Sequence, residues 1–324
     1  MQQVQAHGQS STESELKSDR TMGTDKRHAY LILAHHHFGQ LRKLISLLDD
    51  PRNDIYVHVD RKAEFNPEEW KDVCRRSSLV FLPDRIKVSW GGVSIMRSEL
   101  ALLREATARG HYDYYHLLSG MDLPIKDQDT IHAFFDEHSG TEFLNFWKFK
   151  KTTASRFHYY TIFPEGAGHF ATNLINNIFK GLQMAVGYKM NKDVDFKFAS
   201  QWFSITDALA RYVISKEDWL EKVFRHTNTC DEIFLATLVW DSPFREKLYV
   251  KEPVEEHVVN ESNMRFIDWT RGESIRHPWT FRIGDWDLLM SVPHFWARKF
   301  DDNVDNEIIE KICSKLSPKG TPAE

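Results

Sequence analysis

The first apolar run of the chain, residues 28–34 (HAYLILA), is short and bounded by polar segments, the pattern of a buried strand. Residues 40–48 then place Leu41, Leu44, Ile45, Leu47 and Leu48 at helical spacing. Residues 54–60 alternate Ile55, Val57 and Val59 against Tyr56 and His58, a second strand. A strand–helix–strand start with short connections predicts a right-handed βαβ unit and a mostly parallel sheet. The pattern continues with strands expected at 78–82, 114–119, 142–147 and 202–206. Helices are expected at 94–109, 130–139, 173–186, 206–214, 231–238 and 303–316. The stretch 150–200 is basic and aromatic, and 261–280 reads as turns and short strands. Residues 1–27 are polar and predicted to be disordered, and 317–324 form a tail. With no repeat and no Pro/Gly-rich linker, one α/β domain over residues 28–316 is expected.

Composition narrows the function classes. Over 324 residues, 42 Lys+Arg against 47 Asp+Glu give a net charge of −5, which speaks against a nucleic-acid-coating surface. Three scattered cysteines, Cys74, Cys230 and Cys313, with no CxxC, exclude a disulfide framework or zinc ribbon as the organising principle. Residues 1–27 lack the apolar core of a signal peptide, and no run approaches the length of a membrane span. A cytoplasmic protein with at most a peripheral membrane association is expected. Ten tryptophans exceed what core packing asks for and leave room for flat-ligand platforms.

Four motifs carry candidate chemistry, each with a plainer structural alternative. His35-His-His37 after the first strand and Asp60 after the second lie where open α/β sheets bind ligands. Short polar residues also simply end strands, and three adjacent histidines cannot all face one metal. Ser119-Gly-Met-Asp-Leu-Pro-Ile-Lys126 is a defined loop holding Asp122, or an ordinary capped turn. It contains no metal-binding Asp-x-Asp; Asp127-Gln-Asp129 fits that spacing but reads as a solvated helix start. Thr229-Cys-Asp-Glu232 matches a capping box opening a helix, or presents Glu232 as a general base. Arg276 and the Arg298-Lys299 pair are solvated cations, or converge to hold a diphosphate.

Together, HAYLILAHH from His28, YVHVD ending at Asp60, Ser89-Trp90, SGMDLPI from Ser119, Thr229-Cys-Asp-Glu232 and Ala297-Arg-Lys-Phe-Asp301 resemble one group in their order. It is the core-2/I-branching β-1,6-N-acetylglucosaminyltransferase and peptide O-xylosyltransferase family, glycosyltransferase family 14. The likeness spans roughly residues 28–305 and is most specific up to the SGMDLPI loop. It implies a GT-A-type, Rossmann-like α/β fold with a mixed, mostly parallel sheet flanked by helices. It also implies a UDP-sugar donor, inversion at the anomeric carbon, a glycan acceptor and no metal or other cofactor.

Residue by residue, the resemblance makes Glu232 the catalytic base and Arg276 with Lys299 the grip on the donor diphosphate. Leu33, His35 and Asp60 line the nucleotide pocket. Asp122, Trp269 and Arg156 fall on the acceptor and sugar side, with a family acidic position near Asn145. Trp90 and Trp269 are placed near donor and acceptor, whereas Trp202, Trp240, Trp279 and Trp286 read as packing. Animal members are anchored, luminal and disulfide-bonded; the absence of those features here suggests a bacterial, cytoplasmic member that builds a surface polysaccharide. Two alternatives stand beside the transferase. One is a catalytically silent carbohydrate-binding protein on the same fold; the other is a glycoside hydrolase using Asp122 and Glu232, in which the cation pair has no role.

Overall fold

The computed structural model describes residues 27–148, 157–166, 169–272 and 277–317. Its centre is a six-stranded sheet in the order β3-β2-β1-β4-β7-β6. β1 (His28–Ala34) lies between β2 (Asn53–Val59) and β4 (Tyr114–Ser119), and β2 pairs with β3 (Ser78–Phe81), all in parallel. β7 (Phe198–Thr206) runs antiparallel to β4, and β6 (Phe143–Trp147) antiparallel to β7. The sheet is therefore mixed and mostly parallel, as the early βαβ pattern predicts.

Helices cover both faces, and the strand alternation assigns the layers. Ala29 and Leu31 of β1 pack with α2 (Val93–Arg109), α5 (Asp207–Ser215), α6 (Glu217–Phe224) and α7 (Phe234–Trp240). Tyr30, Ile32 and Ala34 face the other way, onto α1 (Phe38–Leu47), α3 (Gln128–Glu137), α8 (Trp286–Ser291) and α9 (Asn306–Leu316). Because both faces are covered, β2 is buried at every position, including Tyr56 and His58. Side-chain caps fix three helix starts: Asp127 accepts from the Thr130 amide at 2.8 Å, Thr206 from Leu209 at 3.3 Å and Asp305 from Ile308 at 3.0 Å. α4 (Phe170–Ala185) lies apart from both core clusters.

A second sheet of three short strands, β5 (Asp122–Pro124), β9 (Trp296–Arg298) and β8 (Arg265–Ile267), draws the C-terminal part onto the SGMDLPI loop. Its register sets Asp122 opposite Arg298. Arg265 ties this sheet to the large one: it donates to Ser204 Oγ at 2.9 Å and to the Leu117 and Phe203 carbonyls at 3.1 and 2.5 Å. Its guanidinium also lies 4.7 Å from the Trp296 ring centroid, and burial pulls its pKa down to about 9. Among the described residues, no helix is long and apolar enough to cross a membrane.

Candidate active site

Strand direction builds the site. The carboxyl ends of β1, β2 and β4 share one edge, and the antiparallel β7 starts at that edge. β6, antiparallel to β7, ends there too, with Trp147 opposite Phe198. Leu33, His35, Asp60, Ser119–Asp122, Trp147 and Ala199 are thereby gathered along one rim. Main-chain bonds lock the rim: Asp60 N–H donates to Ala34 O at 2.8 Å, and Gly120 N–H to Leu33 O at 2.9 Å.

At the end of β2, Asp60 is buried and accepts from the Lys62 amide at 2.9 Å, with the Lys62 ammonium 3.3 Å from its other oxygen. His58 lies beneath it; its Nε2 accepts from Ile86 N–H at 2.9 Å, and burial lowers its pKa to about 4. His35 reaches solvent at the rim, yet desolvation and then the adjacent His36 bring its pKa to about 4 as well. A neutral His35 supplies hydrogen bonds to a ligand without adding charge. The three histidine rings pack in series, His35 against His36 at 3.8 Å and His36 against His37 at 4.3 Å between centroids, and His37, at φ 53° ahead of α1, bonds Asp302 Oδ1 at 2.5 Å. His37, Asp301 and Asp302 are the grouping with metal-compatible spacing among the described residues.

The cationic corner is anchored from below. Asp122, 2% exposed, accepts from Ser119 N–H at 2.9 Å and from Arg298 Nη1 at 2.7 Å. Burial raises the Asp122 pKa, and Arg298 opposes that rise. Arg298 also lies 4.4 Å from the Trp202 ring centroid, so this tryptophan, expected only to pack, is a guanidinium platform. Lys299 follows directly, half-buried, and its charge is felt at His36. Asp122 therefore acts through Arg298, at the base of the corner rather than at its surface. Arg276 and Arg156 lie outside the described residues.

Glu232 reaches the same edge by a route that differs from the expected capping box. Thr229 adopts φ 51°, and its hydroxyl bonds the neighbouring Asn228 carbonyl at 2.8 Å instead of capping a helix. The helix starts later, at Phe234. The reason is the αL residue: it turns the chain so that buried Cys230 supplies the carbonyl that Ile233 and Phe234 bond, at 3.0 and 2.9 Å. Glu232 is partly exposed and is fixed by its own carbonyl, which accepts from Ala199 N–H at 2.8 Å. Thr229 N–H donates to Gly91 O at 2.8 Å, which sets Trp90, 71% exposed, beside this loop.

One further group went unread in the sequence. Glu99 of α2 is fully buried, accepts from Gln201 at 2.7 Å, and is held well above the usual carboxylate range by burial and by Asp231. A polar residue amid the apolar positions of a helix was its only signal. Opposite, Trp269 lies 4.1 Å from His257 between ring centroids, and His257 5.4 Å from Trp147, an aromatic wall at the end of β6. Asn145, on β6, accepts from Asn260 at 3.1 Å.

Comparison with known proteins now bears on this edge. The Core-2/I-Branching enzyme family model matches residues 28–289, which carry both halves of the rim. The chain belongs to the Core-2/I-Branching enzyme family. Similar proteins include Xylosyltransferase 2 of Canis lupus familiaris and of Homo sapiens, each 25% identical over 93% of this chain and 35% of theirs. The xylosyltransferase of Ciona intestinalis is 23% identical over 92% of this chain and 35% of its own. The chain thus spans about a third of the length of these relatives. They are animal proteins and lend no support to a bacterial source. Among solved structures, the apo form of mouse xyloside xylosyltransferase 1 is a distant likeness, with a TM-score of 0.36 and 9% identity over 83% of this chain and 97% of its own.

Proposed function

We propose that this chain is an inverting glycosyltransferase that moves a sugar from a UDP-sugar to a hydroxyl of a glycan or related acceptor. One observation supports the reading: in a chain of this family, Glu232, Asp60 and the Asp122-anchored Arg298-Lys299 corner lie along one sheet edge. The relatives' names make xylose the first donor sugar to test, with GlcNAc second.

Inversion needs one displacement. Glu232 takes the proton from the acceptor hydroxyl as its oxygen bonds C1 of the sugar. The C1–oxygen bond to UDP breaks, and the electron pair leaves on the diphosphate. Lys299, with Arg276, offsets the growing charge, so that a divalent metal is not required. Leu33, His35 and Asp60 hold the uridine end, and the Trp269 wall takes the acceptor, a role the family likeness extends to Arg156. Asp122 keeps Arg298 and hence Lys299 in place, which leaves Glu232 as the single catalytic carboxylate and argues against the two-carboxylate hydrolase.

The test is Glu232→Gln. Turnover is expected to fall by about 10²–10⁴-fold while UDP affinity stays near wild type. A variant that turns over at full rate overturns the assignment. UDP binding measured by calorimetry also separates a transferase from a silent glycan-binding relative, which would not bind the free nucleotide.

A further inference from the structure

α4 is amphipathic in the reverse sense of an ordinary surface helix, which turns its apolar stripe to the core. Its polar side faces the protein. Asn176 exchanges two hydrogen bonds with the Phe163 backbone, at 3.0 and 3.1 Å, and Gln183 two with the Tyr160 backbone, at 2.8 and 2.9 Å. Lys180 lies 5.5 Å from the Tyr159 ring centroid. The apolar side faces out: Phe170, Leu174, Ile178 and Leu182, one turn apart, are 85%, 49%, 57% and 58% exposed. Val186 and Tyr188 extend the exposed apolar surface beyond the helix. Polar anchors thus fix the helix so that it displays a hydrophobic ridge, the arrangement that marks an interaction face.

We propose that α4 is an interfacial helix that docks the domain onto an anionic membrane surface. Charge selects this occupant. From Phe157 to Lys192 the described residues carry Lys180, Lys189 and Lys192 against one acid, Glu165, whose carboxylate is held by Ser94. Asp193 and Asp195 come only beyond that segment, and Asp195 pairs with Lys197 at 2.6 Å. Lys180 is spent on the protein side over Tyr159, but the exposed Lys189 and Lys192 beyond the helix end suit lipid phosphates, and the apolar ridge suits acyl chains. A second copy of the chain fits less well. A helix of this length, about 24 Å long and about 10 Å wide, offers a footprint of about 240 Å². A stable protein interface needs about 800 Å² per partner. Face-to-face copies would also bring their lysines together. With 16 residues the helix lies in the interface and does not span it. Glu165 links the same segment to the start of α2, next to Gly91 and the Glu232 loop, so docking would turn the site's flank toward the membrane. The proposal does not depend on the transferase reading.

The full chain is to be sedimented with vesicles of phosphatidylcholine mixed with phosphatidylserine and with vesicles of phosphatidylcholine alone. Binding is expected to the anionic vesicles, weakened by salt, and reduced at least about tenfold in Ile178→Asp/Leu182→Asp. Both positions are exposed, so the variant's circular dichroism and Tm are expected to match wild type. Lys189→Ala/Lys192→Ala should lower binding to anionic vesicles only. Absence of vesicle binding, or equal binding by the Asp variant, overturns the proposal. So does a solution dimer of the wild type that the Asp variant dissociates, since the ridge then belongs to a second copy.

Discussion

Replacing Glu142 with Gln should make the protein more stable at alkaline pH, and the size of the gain follows from its surroundings. Glu142 is fully buried; one oxygen accepts from the Thr206 amide at 2.9 Å and the other from the Thr206 hydroxyl at 2.6 Å. Burial outweighs these two donors and raises its pKa from the ordinary 4.5 to about 7. The folded state therefore holds the proton more tightly than the unfolded chain. Its contribution is fully present below pH 4.5 and is lost as pH rises through about 7. That interval corresponds to about 3 kcal/mol, at about 1.4 kcal/mol per pH unit. Gln keeps the shape and can still bond both Thr206 groups without carrying a charge.

Urea unfolding of both proteins, from about pH 5 to about pH 8, is the assay. Similar stabilities are expected at the acid end, with the variant ahead by up to about 3 kcal/mol at the alkaline end. Taking the difference cancels every other titrating group. A difference that stays constant with pH would refute the reasoning. It would mean that the Thr206 donors and the amino end of α5, where Thr206 is the cap, keep Glu142 ionised in the fold.

The remaining predictions concern the site and the core. Asp122→Asn should cost about 1–3 kcal/mol, less than the ~3–5 kcal/mol of a wholly stripped buried charge, because Asn still accepts one bond and Arg298 is partly exposed. UDP affinity measured by calorimetry should fall with it; unchanged affinity would make the corner purely structural. Lys299→Ala should weaken UDP binding, and EDTA should leave turnover intact; activity lost on EDTA and restored by manganese would overturn the metal-free mechanism. Buried His116 and His132, which meet His28 edge-on and stacked, should set the acid limit of stability, since burial puts the His132 pKa at about 4 and that of His116 well below 6.5. With folded values below unfolded ones, stability is lost as pH falls from 6.5 toward 4, and His132→Gln should flatten that limb in a Tm–pH series.

The parts of the fold legible in the sequence are those with local periodicity. The run 28–34 and the Leu41/Leu44/Ile45 spacing announce β1 and α1, and the rim at the strand ends follows from parallel order. β5 and β9 were illegible because three residues carry no period; β8 lies in 261–280, read as turns and short strands, but nothing local joins it to a sheet whose pairing sets Asp122 against Arg298 far along the chain. The Thr229 capping box misled for a different reason. The residue types fit, but a positive φ, which Thr seldom adopts, is dictated by packing around Cys230 and by the bond to Gly91. For α4, the sequence predicted a helix over 173–186 without saying which side faces in; the backbone partners of Asn176 and Gln183 decide that. Glu232 was legible as a residue, whereas its neighbours Glu99 and Gln201 needed the three-dimensional packing of α2 on β7.

The Asp122–Arg298 contact joins residues 176 positions apart, and this matters for a chain made in one direction. All six strands of the large sheet are in hand once Thr206 has been added. The sheet face carrying Tyr30, Ile32 and Ala34, however, stays open until the segment that holds Arg298 arrives, because Trp296, Phe300, Ile308, Ile309 and Ile312 fill its core. A chain stopping before Trp296 would have every strand of the large sheet but neither that cover nor the Arg298-Lys299 corner. Covering the second face and placing the cations proposed to hold a donor are thus one folding event, so the corner cannot be lost without exposing core.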